Sequence, residues 1–405
     1  MPNDDLSPDR LLISADAHVQ ENQDTWARIP EPLRKYAPTF TQHANGSFTQ
    51  VVEGRTLQFD EKDPDPDKEF RNEPSGGVDL TARKRDMARE GVDANVVFPN
   101  EGLGLGIGDA PAEYRRAHAR AYNDWVHEVF SPEPKRFKPV GMIPIDDVES
   151  AVNEVQHCLK QGFTSVGIPA VVPWRPYFLP YWEPLWALVE EADLLLNFHI
   201  FTGNLAFGAD FAWVHHMPQS DFDIAKRACA DNEKAFNDYG GLSSAVLGLA
   251  SGMSPISHLI GGGVLERHPE LRFIITEAES GWLAWFLYQM DFMHERFKSE
   301  GTRLSLKPSE YFRRQGAVTF TDDPVAISNL SVTGSEALLW SNDYPHTEGT
   351  FPRSGEVIDS IIEALSPLDA ENLLFRNAAR LYDFDLEYLA AHKHEVARPA
   401  AISAL

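Results

Sequence analysis

The chain has 405 residues, 43% of them hydrophobic, with 36 Lys and Arg against 61 Asp and Glu and a formal net charge of −25. So acidic a chain speaks against nucleic acid and anionic membrane as partners, because both are held by basic patches. Cys158 and Cys229 have no CxxC spacing, and the N-terminal stretch MPNDDLSPDR lacks the basic and apolar regions of a signal peptide. With no apolar run long enough for a membrane span, a cytoplasmic enzyme is expected.

Taken in order, short apolar runs alternate with longer amphipathic segments. A first strand is expected over Leu11–Asp16, followed by an insertion at about 21–77 that is rich in Pro, Asp, Gln and Gly. A helix over Leu80–Glu90 leads to a strand over Ala94–Pro99, and Pro111–Val129 to a third over Phe137–Pro144. Helix Val148–Gln161 precedes strand Thr164–Ala170, and helix Tyr181–Ala192 precedes strand Leu194–Ile200. A second insertion is expected at about 201–241. Helix Leu242–Arg267, strand Arg272–Glu277, helix Gly281–Phe297, strand Ala317–Asp323, helix Pro324–Val332 and strand Ala337–Asp343 follow. Helices over Gly355–Leu365 and Asp369–Leu381 close the series. The strands are rich in Val, Ile, Leu and Phe, as strands buried on both faces should be. This alternation predicts an α/β fold, a (β/α)₈ TIM barrel with insertions after strands 1 and 5, forming one unit over 1–382. Residues 383–405 read as a C-terminal extension available for subunit contacts.

In such a barrel the C-terminal strand ends meet at one mouth. The first carries Asp16 and His18, two residues apart and so on one side of an extended strand. The fifth carries His199, the sixth Glu277, and the eighth Asp343 with His346 just beyond. Each alone has a plain structural reading, as a core histidine or a turn cap. Together they make a competent site for Zn²⁺, Mn²⁺ or Fe²⁺. Glu21 is expected to brace a ligand imidazole or a residue of the insertion from behind. His258 reads as a packing residue, and His215–His216 as solvent-facing. The glycines of GIGDA and IGGGVLERHP lack the strand-to-helix context of a phosphate loop.

The stretches SADAHVQE, NFHI, GGGVLERHPELRFIITEAESGWL, SNDYPH and RNAARLY resemble the amidohydrolase superfamily, in the branch that includes aminocarboxymuconate-semialdehyde and gamma-resorcylate decarboxylases. The resemblance implies a barrel with one divalent metal, zinc first and manganese or iron as alternatives. Asp16, His18, His199 and Asp343 fall at its ligand positions. Asp16 stands where the family usually has His or Glu. Glu277 stands where the decarboxylases have a histidine, and becomes either the proton-transfer group or a further ligand. Asp343, Glu277 and His346 are the catalytic candidates.

The resemblance implies non-oxidative decarboxylation of a small aromatic or unsaturated carboxylate; separately, a homo-oligomer, a dimer, is expected. Hydrolysis of an amide, ester or lactone is the alternative, and a non-catalytic ligand-binding barrel the second. A decarboxylase needs the metal or a cation to hold its anionic substrate. No Arg or Lys directly follows strands one, five, six or eight, which leaves Arg55, Arg71 and Arg175.

Overall fold

A computed structural model describes residues 10–42, 48–52, 55–59, 76–77, 79–105, 110–172, 175–203, 246–297, 303–346 and 348–393. Its strands are β1 (Ile13–Ser14), β2 (His18–Val19), β3 (Thr39–Gln42), β4 (Phe48–Val52), β5 (Arg55–Phe59), β6 (Ala94–Pro99), β7 (Phe137–Pro139), β8 (Gly141–Met142), β9 (Ser165–Val171), β10 (Leu195–Gly203), β11 (Arg272–Thr276), β12 (Gly316–Phe320) and β13 (Leu338–Trp340).

Two parallel sheets form from the apolar runs. In one, β6 pairs with β1, β2 and β7; in the other the order is β13-β12-β11-β10-β9-β8. Every residue of β6 is buried, as both-faced burial demands. His199 lies opposite Pro169 on one side and Thr276 on the other. The sheets are joined at both margins. Val140 N–H donates to Val97 O at 2.9 Å, and Ala15 N–H donates to Trp340 O at 3.1 Å. A parallel bridge pairs Ala17 with Tyr344.

Helices cover the sheets: α1 (Leu80–Glu90), α2 (Ala112–Phe130), α3 (Val148–Gln161), α4 (Glu183–Glu191), α5 (Leu283–Arg296), α6 (Pro308–Gln315) and α7 (Ser354–Ala364). Asp79 caps the start of α1 and Asp147 that of α3, while left-handed Gly91 and Gly162 end them, as capping chemistry requires.

Of the helix expected over Leu242–Arg267, the described part winds without a break from 246 to Gly261, through a 3₁₀ turn at Ala250–Gly252 and a wide π-type turn at Ser257–Gly261, and breaks at left-handed Gly263 before Val264–Arg267. The run of three glycines explains the break, since each loses more backbone freedom on ordering than any other residue. The stretch Pro324–Val332 likewise divides at Asn329. Helix α6 lies where no element was expected. Pro308 opens it, and Glu310 accepts the Lys307 N–H at 2.8 Å, a signal readable in the sequence.

Strands β3, β4 and β5 form an antiparallel sheet inside the first expected insertion. The second insertion, beyond Gly203 and with His215–His216 in it, lies outside the described residues, as do Arg71 and Cys229. One large apolar core runs through both parallel sheets, and a smaller one gathers Trp26, Ile29 and Tyr114. Cys158 is wholly buried in the large core, and a Cβ added at Gly141 would stand 2.7 Å from its sulfur. Burial pushes the Cys158 thiol far up. His258 is buried with its ring 5.4 Å from that of Phe178. Beyond Tyr382 a short helix, Leu386–Ala391, is tied back where Arg136 Nη2 donates to His392 O at 2.6 Å. Among the described residues no helix is long and apolar enough to cross a membrane.

Candidate metal centre

Backbone geometry sets this site before any side chain acts. Strands one and eight are laced together beyond their ends, with His18 N–H donating to Tyr344 O at 2.6 Å and Asp343 N–H donating to Asp16 O at 3.2 Å. Two of the carboxylates sit on left-handed residues, Glu277 at φ 61° and Asp343 at φ 52°. That conformation is costly for a non-glycine residue, about 1 kcal/mol or more, and it turns the chain out of the strand where the carboxylate must point inward. Glu277 N–H is pinned by Thr319 Oγ1 at 2.8 Å. Behind the site the buried guanidinium of Arg83 donates to the His18 carbonyl and, at 2.8 Å, to Gly76 O. Tyr344, stacked near it, donates to Asp86 at 2.6 Å.

The structure brings together all six residues singled out in the sequence. His18 Nε2 lies 3.4 Å from Asp16, 3.5 Å from Glu277 and 3.3 Å from Asp343. His199 Nε2 lies 3.0 Å from Glu277 and 3.8 Å from Asp16. His346 Nδ1 lies 3.0 Å from Asp343. Two overlapping groups result, Asp16–His18–His199–Glu277 and His18–Glu277–Asp343–His346, with the ligand atoms of each within 4.8 Å of one another.

Each imidazole is oriented by its other nitrogen. His18 Nδ1 lies 2.8 Å from Pro99 O, and His199 Nδ1 lies 2.9 Å from Ile200 O. A carbonyl only accepts, so Nδ1 carries a proton, and Nε2 is the atom turned to the cluster, where an ion competes with a second proton for it. His346 is held the opposite way round. Its Nε2 meets Asn100 Oδ1 at 2.9 Å, while Asn100 Nδ2 donates to Glu101 at 3.0 Å. Its Nδ1 therefore faces Asp343, and its ring stacks on that of His18, 4.0 Å between centroids.

Glu21 is buried and, among the described residues, bonds to backbone rather than to an imidazole. Its carboxylate accepts the backbone N–H groups of Asn100, Glu101 and Gly102 at 2.8–3.0 Å. It fixes the turn that carries Asn100. Asn100 was not anticipated, because an Asn after a strand reads as an ordinary turn residue.

The charges are extreme for so small a volume. Burial pulls the His18 imidazole down, but Asp16, with Asp343 and Glu277, outweighs it and holds His18 well above its usual range. His199 is raised in the same way, mainly by Glu277. Burial pushes Asp16 up, and the imidazoles only partly offset it. Burial also acts on Glu277, yet His199 and His18 hold its carboxyl far below the ordinary carboxylate range.

The donor set fits a divalent cation. Both Asp16 oxygens, His18 Nε2, His199 Nε2, Glu277 Oε2, Asp343 Oδ1 and His346 Nδ1 are buried without a hydrogen-bond partner. Buried polar atoms are nearly always paired, and these converge on one another. Their separations match the edges of a coordination shell with about 2.0–2.2 Å metal–ligand distances.

A family model described as amidohydrolase matches residues 15–384. The chain belongs to the amidohydrolase family. This amidohydrolase is 21% identical over 296 residues to a gamma-resorcylate decarboxylase of Polaromonas sp., covering 69% of the chain and 81% of the relative. It is 24% identical over 324 residues to the 2-amino-3-carboxymuconate-6-semialdehyde decarboxylase of Dictyostelium discoideum, covering 78% and 80%. Among solved structures it is similar, at TM-score 0.59 and 16% identity, to a dihydroxybenzoic acid decarboxylase from Polaromonas sp. JS666 with bound manganese and the inhibitor 2-nitroresorcinol. That likeness covers 92% of the chain and 97% of the other.

Proposed function

We propose that this amidohydrolase is a metal-dependent carboxy-lyase that removes CO₂ from a small aromatic or unsaturated carboxylate. The single observation that carries the reading is the convergence of buried, partnerless ligand atoms from the ends of strands one, five, six and eight. We read the two parallel sheets as one closed (β/α)₈ barrel within a single unit over 1–382, joined through the bonds between Ala15 and Trp340 and between Val140 and Val97. Asp16, His18, His199 and Glu277 hold the ion, with Asp343 at its edge. Glu277 is a ligand in this reading, since it lies within 3.0 Å of His199 and 3.5 Å of His18. Carboxylates and imidazoles together suit manganese, iron or zinc, and the manganese in the relative favours manganese.

When bound, a divalent ion supplies a template and Lewis acid for the substrate's carboxylate and neighbouring oxygen. The proton comes from the chain. With Glu277 committed to the imidazoles, His346 is the acid: Asn100 orients it, and Asp343 shares its Nδ1 proton. His346 protonates the carbon that bears the carboxylate. The C–C bond then breaks, its electron pair returns to the ring or enol, and CO₂ leaves. Proton transfer of this kind contributes about 10²–10⁴-fold in rate.

The test is metal content by plasma mass spectrometry for wild type and His199→Ala, followed by assays of CO₂ release from hydroxylated aromatic and enol carboxylates. About one ion per chain, lost in the variant, with CO₂ released, supports the reading. Bound metal with turnover of lactones or amides alone would make it a hydrolase. No metal on reconstitution would leave a ligand-binding barrel.

A further inference from the structure

The cluster opens, through His199, onto a cavity of about 350 Å³. Its walls are apolar: Phe98, Leu103, Val140, Met142, Ile168 and Val171 are among them. A cavity of about 150 Å³ lined in this way accepts benzene. This one has more than twice that volume, so a single-ring acid held at the cluster leaves much of it unfilled.

Three charged side chains also line the cavity: Arg115, Asp146 and Arg175. They belong to α2 and to the segments after β8 and β9. Arg115 grips one oxygen of Asp146, with Nε donating to Oδ1 at 2.7 Å. The other oxygen, Oδ2, is buried and accepts from nothing. Arg175 is seated against the same residue. Its Nη1 donates to the Asp146 carbonyl at 2.7 Å and to the Tyr181 hydroxyl at 2.9 Å. Its Nε and Nη2 meet no acceptor among the described residues. An acceptor without a donor thus stands beside donors without an acceptor. A carboxylate could answer Arg175 but would offer nothing to Asp146 Oδ2. A hydroxyl group does both, because it donates once and accepts.

We propose that this cavity takes a carboxylate whose apolar body is longer than one ring and ends in a hydroxyl, which donates to Asp146 and accepts from Arg175. This rests on the reading that the cluster binds the substrate's carboxylate. It adds a length and a terminal group that distinguish the substrate from a simple hydroxybenzoate.

Binding, rather than turnover, tests it. Calorimetry on the manganese-loaded protein would compare salicylate, its analogue extended by a phenyl group para to the carboxylate, and the same analogue with a terminal hydroxyl. The extra ring is expected to tighten binding about tenfold or more, and the hydroxyl about fivefold further. Arg175→Gln, at an exposed position, should erase the hydroxyl increment and leave salicylate unchanged. Asp146→Asn should do the same while keeping an acceptor for Arg115. Salicylate binding as tightly as the extended acids would overturn the proposal and leave the reaction intact. So would a hydroxyl increment that survives both substitutions. Extended acids that bind with both increments but release no CO₂ would uphold the cavity reading and remove the decarboxylase one.

Discussion

Loading the cluster with metal should expel protons from its imidazoles, up to about two per ion. Without a cation, Asp16, Asp343 and Glu277 hold His18 above the ordinary imidazole value of 6.5, and Glu277 and Asp16 do the same for His199. In the cation-free site protons on Nε2 of both rings therefore compete with an ion. An ion must displace those protons to reach the lone pairs. Below the raised imidazole values, two displaced protons make the apparent affinity rise about a hundredfold per pH unit. Titration calorimetry with manganese in buffers of different ionisation enthalpy measures the release directly. His199→Ala, which does not retain the ion, should show neither binding heat nor proton release. Release below about half a proton per ion at pH 7 would refute the argument, since it would mean that the ion does not bind through these imidazoles.

Asp343→Asn should keep the fold and abolish turnover, because a neutral amide cannot hold the acidic proton on His346 Nδ1; circular dichroism alongside the CO₂ assay checks it, and near-normal activity would rule out the role. Asn100→Ala frees the His346 ring, and kcat should fall about 10–100-fold with metal content unchanged by mass spectrometry. Glu90 is 6% exposed, and burial pushes its carboxyl from 4.5 to about 7 despite bonds from Ser354 and Asn342. The folded state holds that proton more tightly, so the stability it confers is full below pH 4.5 and is lost as pH rises to 7, by about 3 kcal/mol. Urea unfolding should therefore show Glu90→Gln gaining on wild type between pH 4.5 and pH 8.

The periodicity of the chain made the strands legible because both-faced burial leaves apolar runs such as VVFP and FIIT. The cluster was legible for a related reason: Asp16, His18, His199, Glu277 and Asp343 each end such a run, where an uncompensated charge would otherwise be poorly placed. What could not be read was anything fixed by contacts between distant segments. Asn100 matters through a bond to His346, 246 positions away. Arg115 sits on an amphipathic helix face like many other arginines, and only the fold sets it against Asp146. Glu21 grips a backbone turn, and the three converging N–H groups that it binds are invisible in a sequence. The broken helix between Val246 and Arg267 shows glycines prevailing over an apolar pattern that by itself reads as continuous.

The sealed thiol of Cys158 has a practical consequence. Packed under Gly141 with its ionisation suppressed, it cannot react with an alkylating reagent while the α3 face stays closed over the sheet. Its labelling rate, followed on the peptide that carries it, thus becomes a clock for opening of that part of the molecule. Comparing the clock with and without manganese would tell whether an ion held at the strand ends stiffens only the mouth or the whole body beneath it.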